Sequence, residues 1–227
     1  MVGSGAPGSV RPGGRTARIR ADVLRAAGDE IAAHGFDRLD LVRVAERAGV
    51  GRTTVYRRWG SATALVADLV EDMAEQSVER AHTGTLLGDL RANAELVVRT
   101  LTDPRQGAIF RAVVAAAVLD SDTAGALRRF YRVRVEEWAG CVRDAVDRGE
   151  LSPGTDPQAV IRAVSAPLYY AMITTNDPLD VGLAHQAAAA AHAAASAGVF
   201  TAGRNARQEP TAGPVPDRPA GRDVAGS

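Results

Sequence analysis

The chain reads as an all-α protein of about nine helices, on three observations. Apolar residues recur at steps of three and four along most of its 227 residues. No segment alternates at period two, and Gly, Pro and short polar residues interrupt the pattern at helix-sized intervals.

The elements follow in order. Ile19, Val23, Ala27 and Ile31 share one face of a first helix, from about Thr16 to His34, and Gly35 ends it. Asp40 can accept a hydrogen bond from an unpaired backbone N–H, so a second helix starts near Leu41, with Leu41, Val44 and Ala48 on its inner face. Gly49 tolerates the left-handed backbone that stops it, and Val50 turns back toward the core. A third helix spans Arg52 to Trp59, with Val50, Val55 and Trp59 as its buried residues. Ser61 caps a fourth, expected from Ala62 to Arg80, whose buried face is Leu65, Leu69 and Met73. After a break at Gly84 and Gly88, Leu87, Leu90, Ala94, Val97, Val98 and Leu101 define a fifth. Four more are expected at about Gln106–Leu119, Thr123–Gly149, Asp156–Thr175 and Asp180–Val199, with Asp-Pro and Ser-Pro pairs at the joints. Pro167 falls inside the eighth, where it removes one hydrogen bond and should kink the helix or mark its true start.

A helix, a tight glycine turn and a second short helix, RVAERAGVGRTTVYRRW from Arg43 to Trp59, form a helix-turn-helix. With Val55 and Trp59 turned inward, Arg43, Arg52, Thr53, Thr54, Tyr56, Arg57 and Arg58 are the candidates for contacting double-stranded DNA, being arginine forks, hydroxyls and a phenol suited to phosphates and base edges.

Residues from about Arg15 to Val70 resemble the DNA-binding domain of the TetR family of one-component transcriptional repressors. The resemblance is carried by HGF at 34–36, VAERAGV at 44–50 and TTVYRRWGS at 53–61, in this order and spacing. APLYYAMITTNDPLD, 166–180, resembles a C-terminal segment of one subgroup. Three departures stand out: Ala62 where a phosphate-reaching lysine is common, Leu39 and Asp40 in place of a small hydroxyl pair, and Val42 where a polar or basic residue is usual. Phosphate contacts then rest more heavily on the arginines.

The resemblance implies a homodimer on palindromic operator DNA, released by an unknown small-molecule effector. It also implies a division into a leader (1–14), a helix-turn-helix domain (15–60), a helical ligand-binding and dimerisation domain (61–200) and a tail (201–227). The expected effector pocket comprises Phe110, Val114, Tyr131, Trp138, Cys141, Tyr169 and Met172. Tyr169 and Tyr170, being adjacent, cannot both face inward. The expected dimer contact uses small residues of the last two helices, Ala163, Ala171, Ala184, Ala188, Ala191 and Ala195, with packing inside one protomer as the alternative. An activator or a ligand-independent regulator stays open beside the repressor, and an all-α enzyme is a remote rival.

Composition bounds these expectations. All 27 basic residues are arginine, a pattern of GC-rich coding, and the net charge is zero. Residues 1–60 nevertheless carry 11 arginines against 6 acids, so the excess positive charge lies with the motif. A single cysteine, Cys141, excludes an intramolecular disulfide, and the opening stretch lacks the apolar core of a secretory signal, so a cytoplasmic protein is expected. No run approaches a membrane span, so no membrane partner is expected. His185 and His192 lie two turns apart, about 10 Å, too far to share one zinc, and no cofactor or metal is expected. The Gly/Pro-rich leader and tail are expected to be disordered; Arg11, Arg15, Arg18 and Arg20 make either a basic arm for DNA or an inert approach to the first helix.

Overall fold

A computed structural model describes residues 12–76, 80–175 and 178–201. Among them are nine helices: α1 (Pro12–His34), α2 (Leu41–Ala48), α3 (Arg52–Trp59), α4 (Ala62–Glu75), α5 (Leu86–Thr102), α6 (Pro104–Leu119), α7 (Ser121–Asp147), α8 (Pro157–Thr174) and α9 (Val181–Ser196). The all-α class holds; among the described residues the only extended pairing is a single bridge between Thr155 and Thr201.

Local chemistry starts most of these helices. The side chains of Asp40, Ser61, Thr85, Asp103, Asp120, Asp156 and Asp180 each accept from a backbone N–H of the first turn that follows, each cap contributing about 1 kcal/mol. Gly49 takes φ 66° at the end of α2, and Val50 N donates back to Ala45 O, turning the chain into α3.

Three boundaries differ from expectation: α1 starts earlier, and α4 and α9 end earlier, α9 at Ser196 rather than Val199. α1 begins at Pro12, so helix reaches into the stretch assigned to the leader; the rest of the leader and the tail beyond Thr201 lie outside the described residues. α4 ends at Glu75 rather than Arg80, with Gln76 extended, and no local stop signal in the sequence foretells it. α8 begins at Pro157 under the Asp156 cap and runs through Pro167, which therefore does not mark its start.

Two apolar cores organise the packing. One joins α1, α2 and α3 to α4, α6 and the first half of α7, through Val23, Val44, Val55, Leu65, Ile109 and Phe130. The other joins α5, the second half of α7, α8 and α9, through Leu90, Trp138, Val142, Val164 and Ala188. α4 belongs to the first core along with the helix-turn-helix, and it also packs along α7. No helix among the described residues is long and apolar enough to cross a membrane.

The alanines expected at a dimer contact are placed differently. Ala184, Ala188, Ala191 and Ala195 are buried in the second core, where α9 packs on α5 and α8 of the same protomer. Ala171 is buried too, whereas Ala163 is only half-buried against the second core, so close helix approach through small residues occurs mainly within the protomer. A side chain already covered by its own chain has no surface left for a partner. The opposite face of α8, with Tyr170 63% exposed and Ile173 also open, is exposed, and Val181 is open at the start of α9.

A candidate nucleic-acid interface and a cavity behind it

α3 is held by its inner face. Val55 and Trp59 are buried, and Trp59 Nε1 donates to Asp68 Oδ2 at 2.8 Å. Asp68, on α4, also accepts from Arg20 of α1, at 3.0 Å from Nε and 2.8 Å from Nη2. One carboxylate thus ties α1, α3 and α4 together. The outer face of α3 is left to solvent: Arg52, Thr53, Arg57 and Arg58 are exposed, Thr54 is half-buried, and Tyr56 is 48% exposed. Arg58 stacks over the Trp59 ring at 5.1 Å, which orients it without neutralising it. Arg52 pairs with Glu46 across the turn, and Arg57 has no partner among the described residues.

Arg43 is placed otherwise than its neighbours in the motif. Its Nε donates to Glu30 Oε2 at 3.0 Å, Arg47 Nε donates to Glu30 Oε1 at 2.9 Å, and Arg43 also reaches the carbonyl of Arg38. Glu30 is only 3% exposed; burial opposes its ionisation, but the two guanidinium groups outweigh that and hold its pKa below the usual carboxylate value. Arg43 and Arg47 therefore clamp α2 to α1, and Arg43 is not a free cation on the reading face. Glu30 escaped the sequence reading because an acid on an inward helix face looks like a break in the apolar pattern until its partners are seen.

Behind the helix-turn-helix, a cavity of about 740 Å³ opens between α4, α5, α6, α7 and α8. Its size falls within the range of small-molecule sites. The aromatic wall is contiguous: Phe110 and Phe130 meet edge-on at 5.5 Å, Phe130 and Tyr131 at 5.4 Å, and Tyr131 and Tyr169 at 5.1 Å. Burial and the neighbouring Tyr169 raise the pKa of Tyr131; burial, only partly offset by the hydrogen bond from Tyr131, pushes Tyr169 up to about 12. Both remain neutral phenols.

Of the seven residues expected to form the pocket, Phe110, Tyr131, Trp138 and Tyr169 line this cavity. The other three do not. Met172 packs against the first core, Val114 is half-buried elsewhere on α6, and Cys141 is sealed in the second core, where burial pushes its thiol up to about 12. Tyr169 and Tyr170 divide as adjacency requires, the first into the cavity and the second outward. The lining residues missed include Asn93, Arg128, Arg132, Arg134 and Arg162, polar side chains that pass for solvated helix surface until five helices are placed around them. His185, for its part, pairs with Glu95 at 2.7 Å.

Comparison with known proteins agrees with this architecture. Residues 23–69 match the model for bacterial regulatory proteins of the tetR family, and residues 80–191 match that for the tetracyclin repressor-like C-terminal domain. The chain is 28% identical over 159 residues to the uncharacterized HTH-type transcriptional regulator YdeS of Bacillus subtilis, covering 70% of this chain and 80% of that protein. It is 31% identical over 147 residues to the uncharacterized HTH-type transcriptional regulator Rv1556 of Mycobacterium tuberculosis, covering 64% and 71%. Among solved structures, the complex of Stenotrophomonas maltophilia SmeT with triclosan has the same fold, with a TM-score of 0.59 at 23% identity over 88% of this chain and 99% of that one. A helix-turn-helix with its outer face exposed, and family matches to both halves of the chain, lead to one conclusion: the chain belongs to the TetR family of transcriptional regulators.

Proposed function

We propose that the protein is a homodimeric repressor that binds palindromic operator DNA and is released when a small molecule occupies the cavity between α4 and α8. Thr53, Thr54, Tyr56, Arg57 and Arg58, with Arg52 at the start of α3, carry the DNA contacts; Arg43 serves by holding α2 in place. Two copies set their α3 helices into successive major grooves, about 34–36 Å apart. Residues 15–60 form the reading unit and 61–200 the sensing and dimerising unit. The two protomers meet through the outward faces of α8 and α9, with Tyr170 and Ile173 on that of α8.

The observation that carries this reading is the double membership of α4. Its Asp68 is bonded to α1 and α3, while Met73 and the adjoining Gln76 line the cavity. A ligand that prefers one setting of α4 shifts the pair of α3 helices by that preference, and DNA shifts ligand affinity by the same factor. SmeT, described as the repressor of a multidrug efflux pump, was solved with triclosan, which supports a small-molecule role for this fold.

The test is binding to the intergenic DNA upstream of the protein's own gene, measured by fluorescence anisotropy at several fixed salt concentrations. Arg57→Ala should weaken binding and lower the salt slope by about 1. Unchanged affinity and slope for both Arg57→Ala and Tyr56→Ala would sink the DNA assignment.

A further inference from the structure

The cavity wall is aromatic on one side and basic on another. Phe110, Phe130, Tyr131, Trp138 and Tyr169 supply the apolar surface. Arg128 and Arg132, one turn apart on α7, and Arg162 on α8 supply exposed guanidinium groups at the rim. Among the described residues lining the cavity there is no Asp or Glu. Carboxylates on the surrounding helices are already engaged: Glu137 with Arg134 at 2.7 Å, Glu136 with Arg143 at 3.0 Å and with Gln158 at 2.8 Å, Asp156 with Arg162 at 3.5 Å, and Glu71 with Arg129 at 3.2 Å. Arg128 and Arg132 have no such partner among the described residues.

Deeper in, Asn93 of α5 is 4% exposed and its Oδ1 has no hydrogen-bond partner among the described residues. That oxygen is closed to solvent as well as unpartnered, so it offers no acceptor to a group in the cavity.

We infer that the cavity takes an organic acid: an aromatic body stacked among Phe110, Tyr131, Trp138 and Tyr169, and a carboxylate or sulfonate held at the rim by Arg128 and Arg132. The inference rests on the cavity being the effector site proposed above. Arginine suits this task because its charge persists at all working pH and its planar fork matches an oxyanion with two parallel bonds.

The test uses a matched pair of fluorescent probes on the full chain. 1-Anilinonaphthalene-8-sulfonate carries the anion, and N-phenyl-1-naphthylamine has the same rings and N–H without it. Both are titrated at constant ionic strength against the wild type, the double variant Arg128→Gln/Arg132→Gln, and the cavity-filling variant Ser165→Trp, with Ala166→Trp in reserve should the first melt early. The double variant should weaken the sulfonate about tenfold and leave the neutral probe within about twofold. The filling variant should abolish both. If filling blocks both probes but the double variant treats them alike, the organic-acid inference is overturned and the cavity stands. If a folded filling variant binds both probes unchanged, the effector site itself is misplaced and the inference falls with it.

Discussion

Arg134 Nη2, on α7, donates to the main-chain carbonyl of Met73, on α4, at 2.6 Å, and the same nitrogen reaches the carbonyl of Gln76. Arg134, Met73 and Gln76 all line the cavity, so one guanidinium is both cavity wall and cap for the last turn of α4. Orphan carbonyls at a helix end need such a donor, and cations there also favour the helix dipole. The ring of Phe130 lies 5.3 Å beneath the guanidinium and Glu137 pairs with it, which holds it in place.

Arg134→Ala should therefore loosen α4 and separate sensing from reading. The loss of a charged, half-buried donor should cost about 1.5–3 kcal/mol in chemical denaturation. In anisotropy titrations, cavity ligands should still bind but alter DNA affinity less than in the wild type. An unchanged ligand effect on DNA would remove Arg134 from the coupling.

Asp68 should matter to DNA binding without touching DNA. Asp68→Ala removes the acceptor shared by Arg20 and Trp59 and should cost about 1–3 kcal/mol of stability. Operator affinity should fall while its salt slope stays constant, since no phosphate contact is lost. In Asp68→Ala the Arg20 side chain keeps its bond to Asp72, whereas Arg20→Ala loses the bonds to both carboxylates.

Glu30 predicts an acid sensitivity. Its pKa is lower in the folded protein than in the unfolded chain because Arg43 and Arg47 favour the carboxylate more than burial disfavours it. The stabilisation is thus present above the unfolded value, about 4.3, and is lost as pH falls through the folded one. Glu30→Gln should flatten the acid limb of the thermal-stability profile and lower stability at neutral pH by about 1–3 kcal/mol. An acid limb identical to the wild type would show that the clamp contributes nothing.

Gly107 should reject a methyl group. A Cβ there would stand 2.2 Å from the carbonyl oxygen of Leu101, a backbone atom that cannot rotate away. In an open helix, Gly→Ala gains about 1 kcal/mol. Gly107→Ala should instead lower the melting temperature by several degrees, about 1–3 kcal/mol of overpacking. A higher melting temperature would contradict the close α5–α6 approach.

The dimer proposal turns on Tyr170. Tyr170→Asp puts a charge on the outward face of α8 and should shift the protein toward monomer in sedimentation or light scattering, with thermal stability of the protomer changed little. Ala188→Asp should behave oppositely, unfolding the protomer, because that site is fully buried. A Tyr170→Asp protein that remains as associated as the wild type would move the interface elsewhere.

Much of this was legible in the chain alone, and the reason is locality. Asp40, Ser61 and Gly49 act within a few bonds of the helix ends they set, and the free face of α3 follows once Val55 and Trp59 point inward. Periodicity likewise identifies α1 and α5 to α9, because a helix repeats its own environment every turn. The short blocks at 34–36, 44–50 and 53–61 carried the family resemblance, and with it the regulatory function.

What only the tertiary structure decided depends on residues far apart in sequence. α4 stops at Glu75 beside Arg134, which lies 61 residues beyond the Met73 whose carbonyl it caps. Arg43 became a clamp because Glu30, 13 residues earlier, waits under it. The alanines of α9 turned inward because α5 offered them a closely fitting face, and the arginines of α7 became a cavity rim because α8 packed alongside. Sequence pattern says that a residue lies on a face; which neighbour meets that face is decided by packing, and packing assigned the clamp, the cavity and the buried alanines.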